Sequence, residues 1–342
     1  NSGTIDLQAQ IHLSMPISSM STFFSSSPST SMSMSEMFFG PSALTVADSS
    51  ASLLSNTGTI NIDMSASGIS MMNVSSSTSS SSSLSNEAAF AAINLMGSDF
   101  DGVKNAGTID IDGDYSSGGS SSGSSGASGA VAGISLVAVK VGTDGVVNEG
   151  DISINSSLMG SNSFGNASLA VAGMQMSSVD IAGGVENSGT ILVETASSSS
   201  SSSSVSINLQ GAGLYLGDSS ISGGIDNSGS ITVKQSSTAM QSSVEGGGII
   251  IEDLDVTGGI DISGDITVSS SAQSIISSMA EADAYGISFE GNGSNTLSGG
   301  FNNSGNITVT SVAGASSSAA SASASGVNLN QVGLSGDFVN SG

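Results

Sequence analysis

The chain has no cysteine, no tryptophan and no arginine, and its 342 residues include one histidine and three lysines. Without cysteine it can build no disulfide framework, zinc–thiolate site, iron–sulfur cluster or cysteine nucleophile. Three lysines stand against 28 Asp and Glu, for a formal net charge of −25. Binding to phosphate backbones or anionic lipid headgroups needs clustered cations, so no nucleic acid and no anionic membrane surface is expected as a partner. Charged residues make up 9% and aromatics 4%, and the charged and amide residues that favour helices are scarce. No apolar run reaches the ~20 residues of a membrane-spanning helix. The longest, Ala130 to Val139, is broken by Gly133 and Ser135 and followed by Lys140, so no membrane insertion is expected in this segment. The chain opens at Asn1 with no basic-then-apolar leader, as expected of a processed chain or an excerpt.

What is abundant is small. Serine is about a quarter of the chain and glycine contributes 46 residues, on a background that is 37% hydrophobic. This composition predicts tightly stacked β-structure instead of a helical bundle.

The sequence repeats itself. Asn-x-Gly-x-Ile occurs at Asn1–Ile5, Asn56–Ile60, Asn105–Ile109, Asn148–Ile152, Asn187–Ile191, Asn227–Ile231 and Asn303–Ile307. Ile262–Ile266 carries Ile in place of Asn, and the motif begins again at Asn340. Successive starts lie 35 to 55 residues apart, with the longest repeats first. Gly-Gly often precedes the motif, as in GGVENSGTILV and GGIDNSGSITV. Earlier in each repeat comes an alternating block ending in Gly-apolar-x-apolar, such as AVAGMQM, GAGLYL and AYGISF. Between the two blocks lies a serine-rich tract, most extreme at Ser197–Ser204.

Alternation with period two marks strands with one buried face. Asn and Gly tolerate positive φ, so Asn-x-Gly reads as a sharp corner. Ala-x-Ala-x-Gly reads as small side chains facing inward where backbones approach closely. One such unit cannot bury its own apolar face, whereas a stack of copies can. The expected fold is all-β: one right-handed parallel β-solenoid over residues 1–342, with about eight repeats of roughly 40 residues. Two coils of about 20 residues per repeat are favoured over one oval coil. That gives about sixteen coils and a rod on the order of 77 Å long. Asn56, Asn105, Asn148, Asn187 and Asn227 are then expected to form a corner ladder that alternates with coils lacking it, broken once at Ile262. A β-propeller shares the repeat length, but its closed ring tolerates the length drift less well. The first repeat carries a long excursion over residues 12–47, with all three prolines and Phe23, Phe24, Phe38 and Phe39. It is expected to be either a contact surface or a cap on the core.

The string NSGTI after GGVE or GGID, followed by an alternating strand and a Ser/Ala-rich tract, resembles bacterial autotransporter passengers and related secreted β-helix surface proteins. The resemblance runs through the repeat over nearly the whole chain. It implies a location outside the bacterial cell or on its surface, and it transfers no catalytic residue. The chain departs from that family in showing no membrane-barrel segment.

Few residues could carry chemistry. His12 is alone beside Ser14, with no third group marked. The paired acids Asp99/Asp101, Asp110/Asp112/Asp114, Glu252/Asp253/Asp255 and Glu281/Asp283 could serve glycoside hydrolysis at the right separation. Alternation places such acids on the solvent face of a strand, where they solvate a rod. No catalytic residue is therefore assigned, and no enzyme activity or cofactor is expected beyond a calcium-type site. Its candidates are Asp110, Asp112 and Asp114 in DIDGDY, with Asp261 and Asp265 flanking ISG, because alternate acids can converge oxygens. Glycosylation sequons occur at Asn73, Asn155, Asn166, Asn292, Asn302 and Asn306.

The reading that follows is a structural, non-enzymatic segment of an extracellular bacterial fibre or surface filament, associating head-to-tail. An adhesin with a surface or glycan ligand stands second, and a carbohydrate-active enzyme third. With so much negative charge, association is expected to depend on divalent cations, salt or low pH.

Overall fold

The computed structural model describes residues 3–12, 42–67, 90–117, 127–160, 165–199, 205–275, 279–290, 295–316 and 318–342. Among these residues there is no helix. The strands form three parallel sheets, stacked as a β-solenoid. Sheet A contains eight strands, from Thr4–His12 to Ile307–Ala315. Sheet B also contains eight, from Leu44–Ala47 to Ala320–Leu329. Sheet C closes the third side. Its early strands, Ser50–Asn56, Asp99–Asn105 and Lys140–Asn148, are continuous, and its later coils split into two short pieces such as Asp180–Ile181 and Val185–Asn187.

The stack follows the sequence repeat. The isoleucines of all eight motifs lie in one column: Ile5, Ile60, Ile109, Ile152, Ile191, Ile231, Ile266 and Ile307 pair in strict register along sheet A. They alternate with outward residues, as period two requires. With Val193, Val233 and Val268, the isoleucines from Ile60 to Ile266 pack with Leu209, Leu214, Ile249 and Ile287 of sheet B in one continuous core, and Ile307 packs against it.

Each repeat supplies one coil, not two. The Asn-x-Gly corner and the Gly-apolar-x-apolar block are different corners of the same three-sided turn, and the long strands of sheets A and B consume most of the forty residues. Eight coils at ~4.8 Å give a stack of about 38 Å, half the expected length.

The asparagine ladder correspondingly runs through consecutive coils from Asn56 to Asn227, without the alternation expected. Asn56 Nδ2 donates to Asn105 Oδ1, and Asn105 to Asn148, both at 2.8 Å. Asn148 donates to Asn187 and Asn187 to Asn227, both at 2.7 Å. All five residues are buried. Ile262 interrupts the column, as the sequence indicates, and the ladder resumes with Asn303 donating to Asn340 at 2.6 Å.

The motif glycine is needed for space instead of for positive φ. A Cβ on Gly107, Gly150, Gly189 or Gly229 would collide with the carbonyl oxygen of the equivalent glycine one coil back. Positive φ occurs elsewhere, at the second glycine of Gly-Gly (Gly184 φ 89°, Gly224 φ 85°) and where sheet B turns into sheet C (Ala138 φ 52°, Ser178 φ 56°, Asp218 φ 49°).

The serine tract is partly strand. Ser197 and Ser199 are buried on the inner face of sheet A, while residues 200–204 lie outside the described residues. In the excursion over residues 12–47, Leu44–Ala47 forms the first strand of sheet B, in register with residues 93–96. Residues 13–41, with the prolines and the four phenylalanines, lie outside the described residues. No helix among the described residues is long and apolar enough to cross a membrane.

Candidate functional site

Sheet B is not a flat alternating sheet. In the strand Val205–Gly217, Ile207 and Leu209 face the core, and a Cβ on Gly213 would strike Ile231 Cγ2. Leu214 and Leu216 also belong to the core. Two consecutive residues, Gly213 and Leu214, thus turn inward, and the alternation changes phase. The same glycine column runs through Gly133, Gly173, Gly248 and Gly286, each pressed by an isoleucine of sheet A. The phase change bends the sheet and brings its outward side chains together. Ala170, Ala172, Ala212, Tyr215 and Ile250 form a buried apolar cluster separate from the main core. A Cβ on Gly247 would run into the Ile250 side chain from across this bend. The expectation that Ala-x-Ala-x-Gly faces inward therefore holds for Ala282 and Ala284, whereas Ala172 and Ala212, each directly before the bend glycine, fill the outer cleft.

Acids gather around this cleft. Glu245 stands opposite Gln210 and Asp283, and Glu252 opposite Glu290, on neighbouring coils. Gln210 Nε2 donates to Glu245 Oε2 at 3.1 Å, Tyr215 O–H to Glu252 Oε2 at 2.6 Å, and Ser288 O–H to Glu290 Oε1 at 2.6 Å. Burial first, and then the Glu290 charge, push Glu245 up to about 7. Glu252 and Asp283 are also raised, mainly by burial. Burial, followed by the Glu252 hydrogen bond, raises Tyr215, and burial followed by Asp283 pushes Tyr285 up to about 12. No lysine answers these charges. Lys104 pairs with Glu149 at 2.5 Å, Lys234 pairs with Glu194 at 2.7 Å, and Lys140 stands in register between Asp99 and Asp180.

The acids singled out in the sequence lie elsewhere. Asp110, Asp112 and Asp114 occupy alternate outward positions on Thr108–Ser117, where the flat strand holds them apart. Asn155 Nδ2 donates to Asp112 at 3.3 Å and Ser157 O–H to Asp114 at 2.5 Å. Asp261 accepts from Asn302 Nδ2 at 3.2 Å, and Asp265 from Asn306 Nδ2 at 2.9 Å. Three sequon asparagines, Asn155, Asn302 and Asn306, thus serve as partners of these acids on adjacent coils. The structure does not bring the five aspartates together, and among the described residues no group of three His, Cys, Asp or Glu could hold a metal ion. Asp99 and Asp101 are exposed on sheet C. His12 ends the strand Thr4–His12.

A second feature is a groove of about 570 Å³ where sheet C splits. Stacked pairs Gly223–Gly224, Gly258–Gly259 and Gly299–Gly300 form its floor, with Asp226 and Asp261 on its wall. Asp226 and Asp261 stand in register there, with Glu186 in register with Asp226 one coil earlier, and Asp226 is raised by burial and then by Asp261.

The sequence named Glu252 and Asp283 only within separate local clusters and missed Glu245, Gln210 and Tyr215. One signal was available: Glu245 lies 35 residues after Gln210 and 38 before Asp283, at one phase of the repeat. Comparison with protein-family models, with curated proteins and with solved structures found no match to this chain.

Proposed function

We propose that the chain is a structural, non-enzymatic solenoid segment of an extracellular bacterial fibre or surface filament, built by coil-on-coil stacking. One observation carries this reading. Side chains that would be conspicuous as a site, namely the buried asparagines, the aspartates Asp112, Asp114, Asp261 and Asp265, and two of the three lysines, are engaged with their equivalents or neighbours on the next coil. The chain's polar chemistry is thus spent on stacking. The registers repeat from coil to coil, so a coil of a second copy would meet the same ladder and the same backbone edge, which supports head-to-tail growth. The extracellular bacterial setting rests on the resemblance of the repeat to secreted β-helix surface proteins.

Electron microscopy of the purified protein tests the reading across salt, calcium and pH. Rods joined end to end into filaments of constant width are expected. Monodisperse short rods under every condition would overturn it, and specific retention on a glycan array by such rods would favour an adhesin.

A further inference from the structure

The carboxyl cleft of sheet B contains an arrangement that stacking alone does not require. Glu245 on Gln241–Glu252 accepts one hydrogen bond from Gln210 Nε2 on Val205–Gly217. The other end of the same amide, Gln210 Oε1, is buried and has no hydrogen-bond partner. A buried acceptor without a donor is costly. An ionised carboxylate cannot supply that donor, whereas a carboxylic acid can.

The surroundings push in the same direction. From Val205–Gly217, the only titratable group on this face is Tyr215. Ala280–Glu290 presents Glu281, Asp283, Tyr285 and Glu290. Glu252 lies on Glu245's own strand. Ile266–Ser274, packed behind, has no titratable side chain. The lysine of Ser230–Ala239, Lys234, is engaged by Glu194 on sheet A. Glu245 therefore faces acids and phenols with no cation among them, and close like charges disfavour a second ionised carboxylate.

We propose that Glu245 and Gln210 form a proton-dependent clasp between adjacent coils. In the closed form the protonated carboxyl of Glu245 donates its O–H to Gln210 Oε1 while its other oxygen accepts from Gln210 Nε2, so both ends of the amide are satisfied. Loss of the proton to solvent leaves Gln210 Oε1 without a donor and adds a negative charge beside Asp283, Glu252 and Glu290. The clasp acts within one molecule and does not depend on whether molecules associate.

The direction with pH follows from linkage. Glu245 titrates at about 7 in the folded chain, against an ordinary value of 4.5. Between those values the folded state binds more protons than the unfolded state, so stability falls as pH rises through that window. Below the ordinary glutamate value both states are protonated, and the group contributes no further change.

Thermal unfolding followed by circular dichroism at pH 5 and pH 8 tests the clasp in three chains: the wild type, Glu245→Gln and Asp63→Asn. Asp63 is an exposed acid on sheet A, so its variant reports the effect of removing one surface charge. We expect the wild-type Tm to fall from pH 5 to pH 8 by an amount on the order of 3 °C beyond any baseline drift. Asp63→Asn should keep that slope. Glu245→Gln, whose amide can donate to Gln210 Oε1 at every pH, should lose at least half of it. Equal slopes for the two variants would overturn the proposal. If Glu245→Gln does not fold, carbon-13 NMR of carboxyl-labelled glutamate in the wild type decides. A signal titrating near neutral pH supports the clasp, and no glutamate titrating above pH 6 overturns it.

Discussion

Two of the places where each coil changes direction are dissimilar, the Asn-x-Gly corner entering sheet A and the glycine bend within sheet B. At the corner, successive coils from Asn105 to Asn187 do the same thing. The asparagine amide bonds to the next amide, and the asparagine carbonyl accepts two backbone N–H groups, as Asn105 does from Glu149 and Gly150. At the bend the glycine column and its facing isoleucines persist from Gly133 onward, with Ala92 at the same position one coil earlier. The outward residues that close over it, Ser135, Gln175, Tyr215, Ile250 and Ser288, change from coil to coil. A corner closed by hydrogen bonds between identical groups constrains its residues tightly. A bend closed by side-chain packing accepts any set that fills the cleft, and that freedom is where the unusual carboxyl cluster sits.

The largest effect should come from breaking the corner. Gly229→Ala puts a Cβ against the Gly189 carbonyl oxygen, with the Ser188 carbonyl carbon also within 2.7 Å. Both obstacles are backbone held in the ladder, so neither yields cheaply. We expect a loss of about 4 kcal/mol or more, or failure to fold, read as loss of the cooperative melt. The equivalent break at the bend should cost less. Gly213→Ala meets Ile231 Cγ2, a side-chain atom, and the Gly248 carbonyl oxygen at 2.7 Å. Because one neighbour can rotate or shift, a cost of about 1–3 kcal/mol is expected from chemical denaturation. A Gly213→Ala loss equal to or larger than that of Gly229→Ala would show that the bend is as constrained as the corner.

The same contrast explains what could be read from the sequence. The corner was legible because Asn, Gly and Ile recur at fixed spacing, and each is required by a contact with its own copy. The parallel solenoid, the asparagine ladder and its break at Ile262 all followed from that. The coil count did not, because two kinds of corner in one repeat look like one kind in two coils. The bend was hidden by its phase change: Ala212 and Leu214 belong to opposite faces although they are two residues apart. The Glu245 cleft was hidden because its members come from three repeats and from both arms of a bend that alternation does not reveal.

The smallest expected effect concerns the one coil where the corner departs from its rule. Ile262 is fully buried and occupies the asparagine column between Asn227 and Asn303. Its presence leaves Asn303 Oδ1 buried without a partner, while Asn227 Nδ2 turns to the Gly229 carbonyl at a long 3.4 Å. Ile262→Asn would remove apolar burial worth about 2–3 kcal/mol. The new amide would stand at ladder spacing from both neighbours, accepting from Asn227 Nδ2 and donating to Asn303 Oδ1. Two hydrogen bonds at ~1 kcal/mol each, with relief of a buried unsatisfied acceptor, offset most of that loss. We expect a net change within about 1 kcal/mol for Ile262→Asn. Ile231→Asn, which buries an amide in the apolar column of sheet A, should cost more than ~3 kcal/mol. Equal destabilisation by the two variants in urea melts would mean that the ladder's geometry does not carry across the interrupted coil.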